Sequence, residues 1–374
     1  MREITVAMTD TFISKPYTNF PENGSISAQA PSNIALVKYW GKYGEQLPQN
    51  ASVSFTLSQC RTETTLHFEK STPNGNFNFE VFLDGQREKS FEPKIAQFFE
   101  RIRRYVPFLT EYNFKIETKN TFPHSSGIAS SASGMAALAV CLVSLENALL
   151  GGDLSTAYKE TQENQLRKAS FLARLGSGSA SRSIEGPLVV WGQHPEIEGS
   201  SNLLGVKYPF KVHENFSNYQ DTILLVDKGE KQVSSTVGHN LMHNNPYAEA
   251  RFKEANTNLT KLKTIFEDGN ISAFIEIVES EALQLHAMMM ASKPYFILMK
   301  PNTLEIINRI WKFRKETGSQ VCFTLDAGAN VHVLYPFSEK DRTQNFITKE
   351  LAAFCKNGAY IHDACGLGAS IVNS

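Results

Sequence analysis

Cysteine is scarce and unpatterned. There are five in 374 residues, at Cys60, Cys141, Cys322, Cys355 and Cys365, with no CxxC pair, so neither a disulfide framework nor a zinc site is indicated and the thiols are expected in the core. Charge of one sign is not in excess either. Thirty-seven lysines and arginines face 38 aspartates and glutamates, a formal net charge of −1, which gives no field to attract DNA, RNA or an anionic membrane and leaves small-molecule chemistry as the default. No apolar run is clean enough to span a bilayer; the longest, around Met135–Leu150, is interrupted by Ser144, Glu146 and Asn147 and reads as a buried helix. The opening MREITVAMTDTFISKPY has no apolar stretch followed by a small-residue cleavage site, so a cytoplasmic location is expected. Internal repeats, low-complexity tracts, GxxxxGK[ST] and GxGxxG are also missing, which argues against Walker and Rossmann nucleotide sites.

What is present suits a globular protein. A 41% hydrophobic and 20% charged chain of this length supports two closely joined cores. Residues 1–24 read as a peripheral arm with no assigned chemistry, residues 25–215 as a first domain and 216–374 as a second. The first begins as a sheet, with VSFTL, TTLHFE and a hairpin in FNFEVFLDGQ that turns at Asp-Gly. Helices follow from Glu92-Pro93, near 132–149 and near 157–175, the last two stopped by Gly151-Gly152 and Gly176. Arg101, Arg103 and Arg104 are expected on a solvated helix face. PLVVWG reads as a buried strand. The second domain offers DTILLVD, helices near 246–268 and 271–289, then QVCFTLDA and VHVLYP. Strands and helices segregate unevenly, which predicts an α+β fold.

Four segments carry chemistry. In Pro123–Gly134, PHSSGIASSASG, small residues and hydroxyls precede an apolar helix; backbone N–H groups and the positive end of the helix dipole suit phosphate there. The same small residues also permit close helix packing, and the segment alone does not decide between the two. Gly176–Arg182, GSGSASR, combines hydroxyls with a guanidinium fork suited to a carboxylate or phosphate, with an exposed loop as the alternative. Ala30–Lys42, APSNIALVKYWGK, places Lys38 and Lys42 on one side if the chain is extended there, as a grip for an anionic ligand or simply as an amphipathic strand. Asp326, in TLDAGAN, is either a base at the end of an apolar strand or a turn-forming aspartate.

Taken in order, APSNIALVKYWGK, LPQNASVSFTLSQ, FPHSSGIASSASG, GSGSASRS, VSSTVG and TLDAGAN resemble the diphosphomevalonate decarboxylases over roughly residues 25–335. The resemblance implies the GHMP kinase fold, with a ribosomal protein S5 domain 2-like N-terminal domain and a ferredoxin-like C-terminal domain. It implies ATP with Mg2+, and phosphorylation of the 3-hydroxyl of 5-diphosphomevalonate followed by loss of phosphate and CO2 to give isopentenyl diphosphate. A homodimer is implied as well. By motif match, Asp326 is the base, Lys38 its partner, Arg182 the holder of the substrate carboxylate and Asn33 an orienting residue. Tyr39, Trp40, Gly41, Lys42, Ser177, Gly178, Ser179, Ser235 and Thr236 fall to the substrate. Lys94, Gly127, Ala129, Ser130, Ser131 and Ser133 fall to the nucleotide. No metal ligand is identified. Where many relatives read Pro-Thr-Ala-Ala-Gly, this chain has Pro123-His-Ser-Ser-Gly127, and His124 is read as a loop histidine. The rivals are a monophosphate decarboxylase or mevalonate 3-kinase on the same fold, and a non-catalytic metabolite-binding module, whose expected lost base or phosphate loop is not seen.

Overall fold

Two unusually long strands, Asn23–Val37 and Ser52–Lys70, organise the first domain. They pair antiparallel from Asn23 opposite Glu69 to Val37 opposite Val53, with register shifts between Pro31 and Asn33 and between Ala35 and Val37; proline has no N–H for the ladder, so a break at Pro31 is where a shift costs least. The computed structural model describes residues 9–73, 75–123, 128–152, 163–227 and 235–372, with the side chains of Ser235 and Thr236 excepted. VSFTL and TTLHFE thus belong to one strand rather than two.

The sheet continues through Tyr112–Asn120 to Asn78–Leu83 and Gln86–Arg87, and Leu188–Trp191 pairs with the first half of Ser52–Lys70. Asp84 and Gly85 both have positive φ, the conformation a two-residue hairpin turn requires. Against this sheet lie the helices Glu92–Ile102, Ser130–Leu149 and Glu163–Gly176. Contrary to expectation, Ser130–Leu149 is by length and composition apolar enough to cross a membrane; it is enclosed in the core, as the reading of a buried helix predicts.

In the second domain the sheet order is Cys322–Leu325, Val331–Tyr335, Gln220–Leu224, Tyr360–Ala364, antiparallel throughout. In chain order that is 2-3-1-4, the ferredoxin-like arrangement. Ala248–Asp268, Ile271–Met290 and Pro301–Thr317 fill the long connection after its first strand. The domains are tied together where the Asp363 carboxylate accepts from the backbone N–H groups of Ser58, Gln59 and Cys60 at 2.7–2.8 Å.

Several local expectations change. The arm is not loose along residues 9–22: Phe12 stacks on Phe171 at 4.3 Å, and Ser14 and Lys168 both bond the Tyr105 carbonyl. Ser370–Ile371 pairs with Ala28 and Gln29, so the last strand of the chain lies in the first sheet. Gly176 is the last helical residue and not a left-handed stop; a Cβ there would meet the Met135 sulfur at 2.7 Å, so its smallness serves packing. Arg101 is not simply solvated, since its Nη1 donates to the Leu175 carbonyl at 2.9 Å. All five cysteines are unpaired, four of them buried.

Candidate active site

Lys38 follows the last residue of the Asn23–Val37 strand, and Asp326 follows the last residue of Cys322–Leu325, so each domain delivers one member of a pair. Lys38 Nζ donates to Asp326 Oδ1 at 3.1 Å; the lysine is 2% exposed and the aspartate 29%. Burial holds the lysine pKa below its usual value, and Asp326 opposes that shift. The backbone is fixed from behind. Lys38 N–H donates to Glu281 Oε2 at 2.8 Å, Asn258 Nδ2 to Glu281 Oε1 at 2.7 Å, and Arg251 pairs with the same carboxylate. His286 Nε2 donates to the Asp326 carbonyl at 3.1 Å, and burial lowers its pKa to about 4. Glu281 and His286 both belong to Ile271–Met290, so one helix braces both halves of the pair.

Arg182 lies in the short helical turn Gly178–Ser183 and is 3% exposed. Its Nη1 donates to Ser52 Oγ at 2.6 Å, its Nε to Asn33 Oδ1 at 3.4 Å, and its guanidinium lies over the Trp191 ring. Burial pushes its pKa down to about 10, against the pull of Asp326, which leaves it cationic at neutral pH. Asn33 Nδ2 reaches Ser183 Oγ at 2.8 Å and the Ser179 carbonyl at 3.2 Å. Asn33 therefore stands behind Arg182 and the serine turn, not on the cavity wall. Gly178 is required by close approach: a Cβ would lie 2.6 Å from Trp191 and 3.0 Å from the Tyr39 hydroxyl.

The segment after Lys38 is not extended. Gly41 has φ +100, where a side chain would be strained, and its N–H donates to His239 Nδ1 at 2.9 Å. Lys38 and Lys42 nonetheless line one cavity of about 590 Å³, together with Tyr39, Trp40, Ser177, Gly178, Ser179, Arg182 and Asp326. Its other end is walled by Lys94, Ala129, Ser130 and Ser131, and by an apolar pouch of Val81, Leu83, Phe91, Ile95, Ile116 and Leu138. Ala129, in the left-handed region, caps Ser130–Leu149 without a side-chain hydrogen bond. The dipole end of a long helix thus opens into the cavity.

Besides Asn33, two expected residues do not reach that wall. Ser133 is fully buried and bonded to Thr62 Oγ1 at 2.6 Å, because it lies on the inner face of the helix. Gly41 supports the wall through its N–H. Gly127 and the side chains of Ser235 and Thr236 lie outside the described residues, as does His124. Sequence reasoning missed Glu281, His286 and His239. The last lines the cavity and follows Ser235 by one helical turn, the spacing that could have found it. Among the described residues no three His, Cys, Asp or Glu side chains cluster as a metal site.

The two domains, with a cavity that joins a helix start to a buried Lys–Asp pair, define an enzyme of the GHMP kinase fold. Residues 30–202 match the diphosphomevalonate decarboxylase-like N-terminal domain, and residues 222–365 the mevalonate 5-diphosphate decarboxylase C-terminal domain. The diphosphomevalonate decarboxylase of Ganoderma lucidum is 30% identical over 337 residues, 83% of this chain and 78% of its own length. Among solved structures, MDDEF in complex with MVAPP, AMPPCP and magnesium superposes with TM-score 0.77 at 27% identity, covering 94% of this chain and 99% of that one. The mevalonate diphosphate decarboxylase of Staphylococcus aureus gives 0.76 at 27% identity, covering 94% and 98%. The chain belongs to the diphosphomevalonate decarboxylase family.

Proposed function

We propose that this chain decarboxylates (R)-5-diphosphomevalonate, using ATP, to isopentenyl diphosphate, ADP, phosphate and CO2. The observation that carries the reading is the Lys38–Asp326 pair with Arg182 beside it, in the same cavity as the start of Ser130–Leu149. Asp326 accepts the proton of the tertiary 3-hydroxyl as that oxygen attacks the γ-phosphorus of ATP and ADP leaves. Lys38 stabilises the carboxylate charge and fixes its direction. The C3–O bond then breaks with its electron pair going to phosphate, while the pair of the C1–C2 bond becomes the C2–C3 double bond and C1 departs as CO2. Arg182, held by Ser52, Asn33 and the Trp191 face, grips the substrate carboxylate in line for that step.

Tyr39, Lys42, Ser177 and Ser179 are placed to hold the diphosphate, and the serine and threonine before His239 belong to the same group by motif. The nucleotide phosphates fit the start of Ser130–Leu149, whose cap residue Ala129 makes no side-chain hydrogen bond, with Ser130 and Ser131 as hydroxyl donors and Lys94 as a cation. With no carboxylate cluster among the described residues, Mg2+ would be held mainly by phosphate oxygens and water, as such ions commonly are, and would offset charge between phosphates. The AMPPCP and magnesium bound to the related MDDEF support this cofactor pair.

The test is steady-state ADP and CO2 release from the diphosphate and the 5-monophosphate in parallel. Equal yields of ADP and CO2 from the diphosphate, with little from the monophosphate, are expected. ADP without CO2 would make the chain a 3-kinase, and preference for the monophosphate would move it to the rival decarboxylase.

A further inference from the structure

We infer that His239 is an additional binding residue for the diphosphate end of the substrate, donating its Nε2–H from the cavity wall. The inference rests on the function proposed above and names a contact that its motifs do not contain. A backbone N–H can only donate, so the 2.9 Å bond from Gly41 N to His239 Nδ1 leaves Nδ1 unprotonated and puts the ring proton on Nε2. The ring cannot swing away: it lies 4.3 Å from the Tyr39 ring and 4.5 Å from that of Trp40. Gly238 lets the helix come this close, since a Cβ there would sit 2.6 Å from Trp40. Among the described residues Nε2 has no hydrogen-bond partner, although His239 is buried and lines the cavity with Tyr39 and Lys42.

Nε2 is not sealed in the protein but opens into the cavity, where a ligand oxygen can supply its acceptor. Burial, and then the charges of Lys42 and Arg182, depress its pKa to about 3. His239 is therefore a neutral donor in a site that already holds two cations. It adds a hydrogen bond to an anion without the cost of burying a third positive charge. Its neighbours Tyr39 and Lys42 are the residues assigned to the diphosphate, which fixes which end of the substrate it faces.

The experiment compares full-length wild type with His239→Gln, which retains a side-chain N–H, and His239→Met, which retains bulk without a donor. Two quantities are read: KM for the diphosphate substrate and for ATP, and affinity for inorganic pyrophosphate by titration calorimetry with saturating ADP. His239→Met is expected to raise the substrate KM and weaken pyrophosphate about 10-fold, the size of one hydrogen bond to a charged group. The KM for ATP should change far less, and His239→Gln should recover most of the loss. Both variants matching wild type, or both equally impaired, would overturn the inference and leave the ring a packing element. Wild type that releases no CO2 while pyrophosphate binding still depends on His239 would instead refute the proposed reaction and keep the anion contact.

Discussion

The two ends of the cavity are built by opposite means. At the Lys38–Asp326 end, charge is buried and held by more buried charge: Glu281 accepts from Lys38 N–H, Asn258 and Arg251, and Arg182 is anchored by Ser52 and Asn33. At the Ser130 end the described residues provide a helix start, the hydroxyls of Ser90, Thr118, Ser130 and Ser131, the cation of Lys94 and apolar walls. The first end is preorganised for bond-making, where a displaced carboxylate has no substitute. The second, on the proposed function, would grip a ligand with many small, separate contacts. Chemistry should therefore fail at one end, and affinity should erode at the other.

Asp326→Asn attacks the chemistry most directly. Turnover should fall about 10³-fold, as for loss of a general base, with substrate KM changed far less. Glu281→Gln touches no ligand but loosens the backbone at Lys38; kcat should fall about 10²-fold, the cost of a misplaced catalytic group, and rescue by Glu281→Asp would be poor because the shorter side chain cannot reach. Steady-state kinetics that moved KM alone would erase the distinction between the ends. Lys94→Ala probes the other end and should raise the KM for ATP about 10-fold, with kcat nearly retained.

A separate effect, on stability and not on turnover, concerns pH. His239 and His286 are held neutral in the fold, at about 3 and about 4 against a usual 6.5. Between those limits the unfolded chain binds protons that the ligand-free folded chain does not, so their contribution is fully present above pH 6.5 and is lost as pH falls toward 4 and 3. Each contributes a slope of less than about 1.4 kcal/mol per pH unit. Denaturant titrations of His286→Gln between pH 4 and 7 should show a shallower loss than wild type; an unchanged slope would mean that His286 is charged in the fold.

The residues legible in the sequence share one property: they sit in short segments whose neighbours announce them. Lys38 and Asp326 end apolar strands, and Arg182 closes a run of glycines and serines. Glu281 and His286 lie in the middle of an apolar helix, where nothing local separates a brace from a core residue; only the packing of Ile271–Met290 against the ends of two strands from different domains gives them their roles. Ser133 was misplaced for a related reason. Hydroxyls at a helix start look alike in the sequence, and only the packing shows that Ser133 bonds Thr62 inside the core while Ser130 and Ser131 line the cavity. Lys42 reaches the expected cavity by an unexpected route, since Gly41 turns the chain where an extended strand was anticipated. The ferredoxin-like order of the second sheet was accessible only through family resemblance, because the pairing of Tyr360–Ala364 with Gln220–Leu224 spans most of that domain.

The most direct test of the account is a rapid-quench single turnover that follows ADP and CO2 together in wild type and Asp326→Asn, with ligand affinities measured alongside. One CO2 for each ADP in wild type, and joint loss of both products from an Asp326→Asn protein that still binds ATP and the diphosphate, is the predicted result. ADP formed by Asp326→Asn at the wild-type rate would contradict it.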